Sequence, residues 1–425
     1  MLIGIDASRA NREYKSGTEW YSYYLIRELA KLDSENQYIL YTDKPLKAGL
    51  SNLNNELIVS SDVNASSQSD QIAYDQDEFQ VIESPHHNFK AKILHWPFKF
   101  FWTLGGLSLE MLWHAPDVLF VPAHGLPLIC PKKTIVTIHD IGFKHQHQLY
   151  SKDEVVYKGR VVNFLVSLFT GGKYAPTKTG YLDWSTNFAL RHAKKIITIS
   201  DFSKSEILKN YKVSAEKIKV IHNGFNNQIY HKLDDQEKIS QVLDKYGIEQ
   251  PYLFYIGRLE KKKNTPALIE AYALARQKGI KDNLCLAGMA SYGYDEIKYM
   301  ISEFGMQNHV KISGWINEED VPALFSGATA FVFPSLYEGF GIPILQAMAC
   351  GVPVVASNST AIPEVAGGAA LLFDSNNVQD MAEKISQISK DQTLKNELIE
   401  RGLIRAKDFS WGKCAKEVLN QINNL

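Results

Sequence analysis

The stretch that decides the fold runs from residue 330 to residue 356 and reads AFVFPSLYEGFGIPILQAMACGVPVVA. It begins with a short apolar strand at Ala330–Phe333, continues through a glycine-containing turn into a helix, and ends in a second apolar strand at Val352–Ala356. Pro343 suits the first turn of that helix. Strands that are apolar throughout are typical of parallel sheets covered by helices on both faces. The stretch therefore predicts α/β construction with a parallel sheet.

The same alternation of short β-branched runs and longer amphipathic stretches continues over all 425 residues. The other strand candidates are Leu2–Ile5, Tyr38–Tyr41, Val118–Val121, Ile135–Ile138, Ile196–Ile199, Ile218–Ile221, Tyr252–Ile256, Leu284–Ala287, Val310–Ser313 and Leu371–Phe373. Helical spacing follows several of them, as at Trp20–Leu32 and Asn264–Lys278. Two sets of strands predict two doubly wound domains, 1–228 and 229–409. Ligands of such sheets bind outside the carboxyl ends of the strands, so we expect the site in a cleft where the two domains face each other.

Composition excludes several classes of protein. The 46 basic and 47 acidic residues give a net charge of −1, so we expect no nucleic-acid partner that depends on a large basic surface. The four cysteines are widely spaced without a CxxC pair, which fits neither a zinc site nor a disulfide framework and suits a reducing compartment. No signal peptide is visible, and no apolar run approaches the roughly 18–20 residues that span a bilayer. We therefore expect a cytoplasmic protein.

The densest chemical signal is the turn inside the opening stretch. Gly339 and Gly341 allow the backbone to approach a ligand, and the free amides of the helix start near Ile342 attract anions. Glu338 precedes these glycines, and Gln346 lies on the helix that follows. One carboxylate and one amide could thus hold the two ends of a single polar ligand. No third glycine completes a dinucleotide fingerprint, which disfavours a dehydrogenase.

A second signal, GRLEKKKN at 257–264, also lies between a strand and a helix. A guanidinium and an ammonium at the mouth of a cleft form a clamp for a diphosphate, and we assign that role to Arg258 and Lys263. Lys261 and Lys262 are interpreted as solvated charges.

Two further signals fall in the first half of the chain. His139 closes a strand where a ligand lies in a doubly wound sheet. The segment SGTEWY at 16–21 forms the first strand-to-helix turn, which commonly lines the site.

Three segments interrupt the alternation. Residues 62–82 are polar and acidic and predict a surface loop. Residues 93–113 carry a dense aromatic run that includes Trp96, Phe100 and Phe101, and Val161–Phe169 is a second apolar stretch. Both are compatible with ordinary helices packed on the sheet, and also with an exposed apolar surface that contacts a membrane or an amphiphilic substrate.

Taken together, these motifs resemble the retaining family-four glycosyltransferases of the two-domain GT-B fold. The resemblance runs nearly end to end, from IGIDASR and SGTEWYSYYLIREL through TIVTIHD, VIHNGF, YIGRLEKKKN and FPSLYEGFGIPILQAMACGVPVVAS to FSWGKCAKEVL. It implies transfer of a sugar from a nucleotide-diphosphate donor to an acceptor hydroxyl with retained configuration and without a metal ion or cofactor. It also implies an acceptor-binding first domain, completed by a helix at about 410–425, and a nucleotide-sugar-binding second domain.

The resemblance assigns roles to individual residues. Glu338 matches the first acid of the E-x7-E motif, which holds hydroxyls of the donor sugar, and His139 matches the histidine that contacts the sugar and the reacting centre. Arg258 and Lys263 match the pair that binds the diphosphate, and Gly17 matches a glycine near the phosphates. The remaining donor-binding residues are Trp315 in the loop that holds the base, and Gly339, Phe340, Gly341, Ile342 and Gln346 in the turn and its helix.

Two residues depart from the family pattern. Gln346 replaces the second acid; a neutral hydrogen bond stabilises by roughly 0.5–1.5 kcal/mol against roughly 1.5–3 for a charged one, so we expect weaker nucleotide binding or a different ribose geometry. Glu19 stands where many relatives have glycine, and a carboxylate beside a diphosphate is unfavourable unless it faces an acceptor or a basic neighbour.

No residue stands out as a covalent nucleophile, so we hypothesise front-face displacement in which the departing phosphate takes the acceptor's proton. The favoured reaction is transfer of mannose from GDP-mannose to a saccharide on a lipid carrier, for cell-surface polysaccharide synthesis at the inner face of the cytoplasmic membrane. UDP-glucose is the next donor candidate. Alternatives are a sugar-nucleotide epimerase or phosphorylase on the same fold, and a non-catalytic protein that binds nucleotide sugars.

Overall fold

The computed structural model describes residues 1–13, 15–47, 49–54, 79–97, 102–145 and 177–425. The chain divides into two compact units. Unit 1 comprises Met1–Asn223 and Trp411–Leu425, and unit 2 comprises Gly224–Ser410. The corresponding boundaries predicted from the sequence are 228/229 and 409/410. Residues 62–78 of the predicted loop, residues 98–101 of the aromatic run and the apolar stretch Val161–Phe169 lie outside the described residues.

Unit 1 is built on an eight-stranded sheet in the order β3-β4-β2-β1-β5-β6-β7-β8, in which the pairing of β3 with β4 is antiparallel and the other pairings are parallel. Its strands are β1 (Leu2–Asp6), β2 (Gln37–Thr42), β3 (Gln80–Val81), β4 (Phe89–Ile93), β5 (Val118–Val121), β6 (Thr134–Thr137), β7 (Lys195–Thr198) and β8 (Ile218–Val220). Its helices are α1 (Gly17–Leu32), α2 (Gly106–Trp113), α3 (Gly142–His145), α4 (Lys178–His192) and α5 (Asp201–Asn210), joined by the last helix of the chain, α14 (Trp411–Asn423).

The last helix packs on α1 inside unit 1. The spacing of its buried residues is helical, so one apolar stripe faces the unit: Trp411, Cys414, Ala415, Val418 and Ile422. Trp411 stacks on Tyr24 of α1, with ring centroids 5.3 Å apart. The closing helix that the sequence places at about 410–425 thus lies in unit 1.

Unit 2 has a six-stranded parallel sheet in the order β11-β10-β9-β12-β13-β14. Its strands are β9 (Tyr252–Ile256), β10 (Asn283–Ala287), β11 (Val310–Gly314), β12 (Ala330–Phe333), β13 (Val354–Ser357) and β14 (Ala370–Phe373). Its helices are α6 (Gln236–Tyr246), α7 (Thr265–Gln277), α8 (Tyr294–Glu303), α9 (Val321–Ser326), α10 (Ile342–Ala349), α11 (Ile362–Ala366), α12 (Val378–Lys390) and α13 (Gln392–Ala406). This strand order is that of a doubly wound dinucleotide-binding sheet, in which the order reverses between the first and fourth strands.

The predicted α/β class is confirmed, and every predicted strand is present with ends within two residues. The surface-loop prediction for 62–82 is wrong at its end, because Gln80 and Val81 form the edge strand β3. The neighbouring strand β4 was not predicted, since its sequence FKAKI carries two lysines. None of the helices in the described part of the chain is long and apolar enough to cross a membrane.

Candidate functional site

In unit 2 the strand order reverses between β9 and β12, which pair directly. Ligands of open α/β sheets bind at this switch point, outside the carboxyl ends of the strands. The loop after β9 carries Arg258 and Lys263, and the loop after β12 carries Glu338. The backbone amide of Leu336 donates to the carbonyl of Lys262 at 3.2 Å, so the two loops are joined. Two of the sequence signals therefore meet at the switch point.

In the basic loop after β9, the two cations assigned to the diphosphate, Arg258 and Lys263, have different surroundings. The exposed Arg258 guanidinium forms no ion pair with any described residue, while its carbonyl accepts a 2.9 Å hydrogen bond from the Tyr255 hydroxyl. Lys261 pairs with Glu296 at the surface at 3.3 Å, as expected of a solvated charge. Lys263 closes a short 3-10 turn, Lys261–Lys263, and is largely covered. The loop therefore exposes the Arg258 guanidinium to solvent, while the nearby Lys263 ammonium is largely covered.

The acidic loop after β12 is tied directly to this cation. Lys263 Nζ donates to Glu338 Oε1 at 2.5 Å, with 21% of the lysine side chain and 14% of the glutamate side chain exposed. Glu338 is also held through its backbone, since its amide donates to Thr360 Oγ1 at 3.0 Å. A charged donor and a charged acceptor therefore lie within bonding distance at the switch point, where a ligand with phosphate and hydroxyl groups would find both.

The turn that follows Glu338 leads into α10. Gly341 is the N-cap of α10 at φ +102°, a left-handed conformation that glycine adopts without strain, and Ile342 begins the helix. Gly339 is buried, and Phe340 is only 3% exposed with its ring edge-on to Phe409 at 5.7 Å. The Phe340 ring therefore packs inside the unit. Only the backbone of this residue is placed to contact a donor. The helix start presents backbone amides where an anion would be favoured.

Two further predicted residues lie near this edge of the sheet. Gln346 is half-buried on α10. Trp315 directly follows β11 and is 62% exposed, after Gly314 at φ +73°. The carbonyl of Gly314 accepts from the amide of Gly288, which follows β10, at 2.7 Å. The exposed indole is therefore available for stacking on a planar ring.

In unit 1 the strand order reverses between β1 and β5. Gly17 is the first residue of α1, in the loop that follows β1, and a Cβ built there meets nothing within 4 Å. Neither backbone conformation nor packing thus requires glycine at this position. The space beside it is open to a ligand that approaches the helix start.

Glu19 faces its own helix start and a basic neighbour. Its Oε2 accepts hydrogen bonds from the Ser16 amide at 3.2 Å and the Ser16 hydroxyl at 2.5 Å, in a capping-box arrangement, and Oε1 lies 3.5 Å from Arg9 Nη1. Burial alone would raise the pKa of Glu19, but the bonds from Ser16 and the charge of Arg9 hold that pKa below its usual value. The structure therefore gives Glu19 a basic neighbour, one of the two orientations the sequence allowed.

His139 follows β6 and is 6% exposed. Its Nε2 lies 3.1 Å from the carbonyl oxygen of Pro122, which can only accept, so Nε2 carries the proton and Nδ1 keeps a lone pair. The Tyr21 ring packs edge-on against the imidazole at 4.8 Å. Burial lowers the pKa of His139 to about 4, and the electrostatic effect of the neighbouring His124 is the second cause of the lowering. His139 is therefore neutral at pH 7 and suited to accept a hydrogen bond from a hydroxyl.

Sequence reasoning missed three residues that the structure places near the predicted ones. Asp6 ends β1 and is buried, with Ser8 donating to it from its amide at 3.0 Å and its hydroxyl at 2.6 Å. Burial raises the pKa of this carboxyl. Thr360 and Asn264 both have positive φ values, 56° and 57°. A carboxylate that ends a central strand could have revealed Asp6, but nothing in the sequence signals the other two.

The fold and these two sets of residues define a GT-B glycosyltransferase, and comparison with known proteins shows the family. The family model described as Glycosyltransferase Family 4 matches residues 15–228, and the model described as Glycosyl transferases group 1 matches residues 235–405. The chain belongs to this glycosyltransferase family.

Two curated relatives from Escherichia coli are mannosyltransferases. The chain is 36% identical over 258 residues to O-antigen chain mannosyltransferase B, covering 60% of this chain and 67% of the relative. It is 27% identical over 236 residues to the serotype-specific mannosyltransferase WbdA, covering 55% of this chain but only 29% of that much longer relative.

Solved structures share the fold over nearly the whole chain. HepE from Anabaena, solved with UDP and glucose, superposes with a TM-score of 0.64 at 19% identity, covering 100% of this chain and 99% of HepE. WaaG, a glycosyltransferase involved in lipopolysaccharide biosynthesis, gives a TM-score of 0.63 at 14% identity, covering 99% of each chain. At these identities the likeness establishes the two-unit α/β fold.

Proposed function

We propose that this chain transfers mannose from GDP-mannose to a hydroxyl of a saccharide acceptor, with retained configuration, in the synthesis of a cell-surface polysaccharide. The observation that carries the proposal is the joined pair of loops in unit 2, where Arg258, Lys263 and Glu338 lie at the switch point of the sheet. The choice of mannose draws on the 36% identity to O-antigen chain mannosyltransferase B.

Under this proposal each group has one task. Arg258, Lys263 and the helix-start amides near Gly341 neutralise the charge that grows on the departing diphosphate, without a metal ion. Glu338 accepts hydrogen bonds from sugar hydroxyls, and the neutral His139 accepts one at Nδ1. The exposed Trp315 stacks on the base, and Gly17 leaves room for the phosphates.

The proposed step is a front-face displacement. The acceptor oxygen forms a bond to the anomeric carbon while the bond from that carbon to the diphosphate oxygen breaks, on the same face of the sugar. The departing phosphate oxygen takes the proton of the acceptor hydroxyl. No side chain then forms a covalent intermediate, and trapping a sugar adduct on the protein would contradict this step.

The test is thermal unfolding of the purified chain with GDP, UDP, ADP and their common sugar conjugates, with chelator present. Binding to the folded state alone raises the midpoint by an amount set by ligand concentration over Kd. We expect the largest shift with GDP-mannose, and release of GDP only when a mannan-type acceptor is added. A larger shift with UDP-glucose would change the donor assignment. A shift without nucleotide release when acceptor is present would favour the non-catalytic alternative, and no shift with any ligand, even for the Gln346→Glu variant, would contradict nucleotide-sugar binding altogether.

We further propose that the acceptor is lipid-linked and that unit 1 contacts the membrane through an exposed apolar surface around α2. The exposed fractions of its members are high: Leu109 53%, Leu112 54%, Trp113 74%, Leu128 37% and Ile129 40%. The first three share one helix face, and the loop of the last two is tied to that helix by a 2.8 Å hydrogen bond from the Leu128 amide to Ser108 Oγ.

The charge next to this surface favours anionic lipid. Lys132 and Lys133 are exposed and follow Ile129 closely in the chain. An exposed tryptophan and leucines beside lysines are typical of surfaces that lie at the interface of an anionic bilayer. Of the other described tryptophans in the predicted segment 93–113, Trp96 is half-buried against the unit 1 core and Trp102 is buried in it.

Leu112→Ser/Trp113→Ser is expected to lower binding to phosphatidylglycerol-containing vesicles at least about tenfold, because burying two such side chains stabilises the bound state by more than about 1.4 kcal/mol. The measurement is co-sedimentation with vesicles, with pure phosphatidylcholine as the uncharged comparison. Leu32→Ser/Val81→Ser, which changes side chains 45% and 50% exposed elsewhere in unit 1, is the matched control. Equal losses for both pairs, or none for either, would contradict the assignment of this surface.

A further inference from the structure

Three non-glycine residues have left-handed backbone conformations in the part of the chain that the structure describes: His87 at φ 53°, Asn264 at φ 57° and Thr360 at φ 56°. Such conformations are unfavourable for side chains with a Cβ, and most unfavourable for a β-branched residue such as threonine. They persist where the surroundings fix them, and they concentrate at functional sites. Two of these three residues lie in unit 2 beside the candidate donor groups.

Thr360 lies in the loop after β13 and is bonded to the acidic loop. Its hydroxyl oxygen accepts from the Glu338 amide at 3.0 Å, and the same hydroxyl donates to the carbonyl of Ser359 at 2.8 Å. Because that hydroxyl both accepts and donates, its orientation is fixed on both sides. The Glu338 backbone is therefore held by the side chain of a residue in the left-handed conformation.

Asn264 immediately follows Lys263 and is bonded to the loop after β14. Its side-chain amide donates to the carbonyl of Ser375 at 2.9 Å. The Ser375 hydroxyl in turn lies 2.6 Å from the hydroxyl of Ser359, the residue before Thr360. A chain of hydrogen bonds therefore runs between the two left-handed residues.

The Lys263–Glu338 pair closes this chain into a ring. The ring crosses the loops that follow β9, β12, β13 and β14, which are neighbours in the sheet. We propose that Thr360 is a positioning residue that fixes Glu338 for the donor sugar, and that Asn264 fixes Lys263 in the same ring. The proposal rests on the proposed function, because it takes Glu338 and Lys263 as the donor-binding groups.

The decisive variant is Thr360→Gly, since glycine suits φ 56° and removes the whole side chain, including the hydroxyl that accepts from the Glu338 amide. Relief of the backbone is expected to keep or raise the unfolding midpoint, whereas loss of the bond to Glu338 is expected to lower kcat/KM for GDP-mannose about tenfold. The Kd of free GDP is expected to stay within about twofold, because GDP carries no sugar for Glu338 to hold. Thr360→Ser keeps the hydroxyl and is expected to retain kcat/KM within about threefold.

The matched control is His87→Gly, which relieves the same conformation in an exposed turn of unit 1 and is expected to leave kcat/KM unchanged. A Thr360→Gly enzyme with wild-type kcat/KM would overturn the inference, as would a Thr360→Ser enzyme that loses as much as Thr360→Gly. If Thr360 had a merely structural role, Thr360→Gly would weaken the binding of GDP and of GDP-mannose equally. That outcome would also overturn the inference. A wild type that consumes neither GDP-mannose nor UDP-glucose would instead overturn the proposed function.

Discussion

Glu338→Gln is expected to lower kcat/KM for the nucleotide sugar about 100-fold. Two effects add in this variant. A charged acceptor of sugar hydroxyls gives way to a neutral amide, and a negative charge is lost beside a sugar that becomes positive in the transition state. The measurement is the initial rate of nucleotide-diphosphate release with donor and acceptor present.

The fold should survive this change, because a glutamine oxygen can still accept from Lys263, which donates to Glu338 at 2.5 Å in the wild type. The matched control is Glu296→Gln, which alters the surface pair with Lys261 in the same unit and is expected to change neither rate nor unfolding midpoint. A Glu338→Gln rate within about threefold of wild type would mean that Glu338 does not hold the sugar.

His139→Gln is expected to change the pH dependence of stability. Burial lowers the pKa of His139 in the folded chain to about 4, against an ordinary value near 6.5. As pH falls between these values the unfolded chain binds a proton that the folded chain does not, so the free energy of unfolding decreases. The loss reaches about 3 kcal/mol below pH 4 and is absent above pH 6.5.

A glutamine at this position does not titrate, and its amide can donate to the Pro122 carbonyl as the imidazole does. The wild type should therefore lose about 3 kcal/mol more than the variant between about pH 7 and pH 4, in urea unfolding at a series of pH values. His192→Gln, at an exposed position of unit 1, serves as the control. An identical loss in wild type and His139→Gln would contradict the buried, neutral state of His139.

Several of the strands predicted from the sequence are buried along their whole length. Val118–Val121 and Ala330–Phe333 are apolar at every position and buried at every position, so pattern and environment agree. The missed strand β4 holds lysines whose charges are compensated by distant residues: Lys92 pairs with Glu110 at 2.7 Å, and Lys90 lies 3.8 Å from the centroid of the Phe79 ring. Such compensation is tertiary and leaves no local pattern.

The residues of the candidate site also fall into those that the sequence could predict and those that depend on tertiary contacts. Arg258, Lys263 and Glu338 could be predicted because each lies just after an apolar strand, and the sheet brings those strand ends together. Thr360 could not, because the sign of its φ and its bond to Glu338 depend on a loop from another strand. The neighbours of Glu19 were likewise left open by the sequence, since Arg9 meets it only after the loop folds.

The return of α14 to unit 1 has a consequence for the order in which the chain acquires its structure during synthesis. Trp411 can cover its face of α1 only after residues 224–410 have been synthesised. Their synthesis takes about 10–40 s at roughly 5–20 residues per second. Unit 2 is one continuous segment and has every residue it needs before that moment. On the ribosome, unit 1 is therefore translated first but completed last, and the aromatic face of α1 stays uncovered by Trp411 until then.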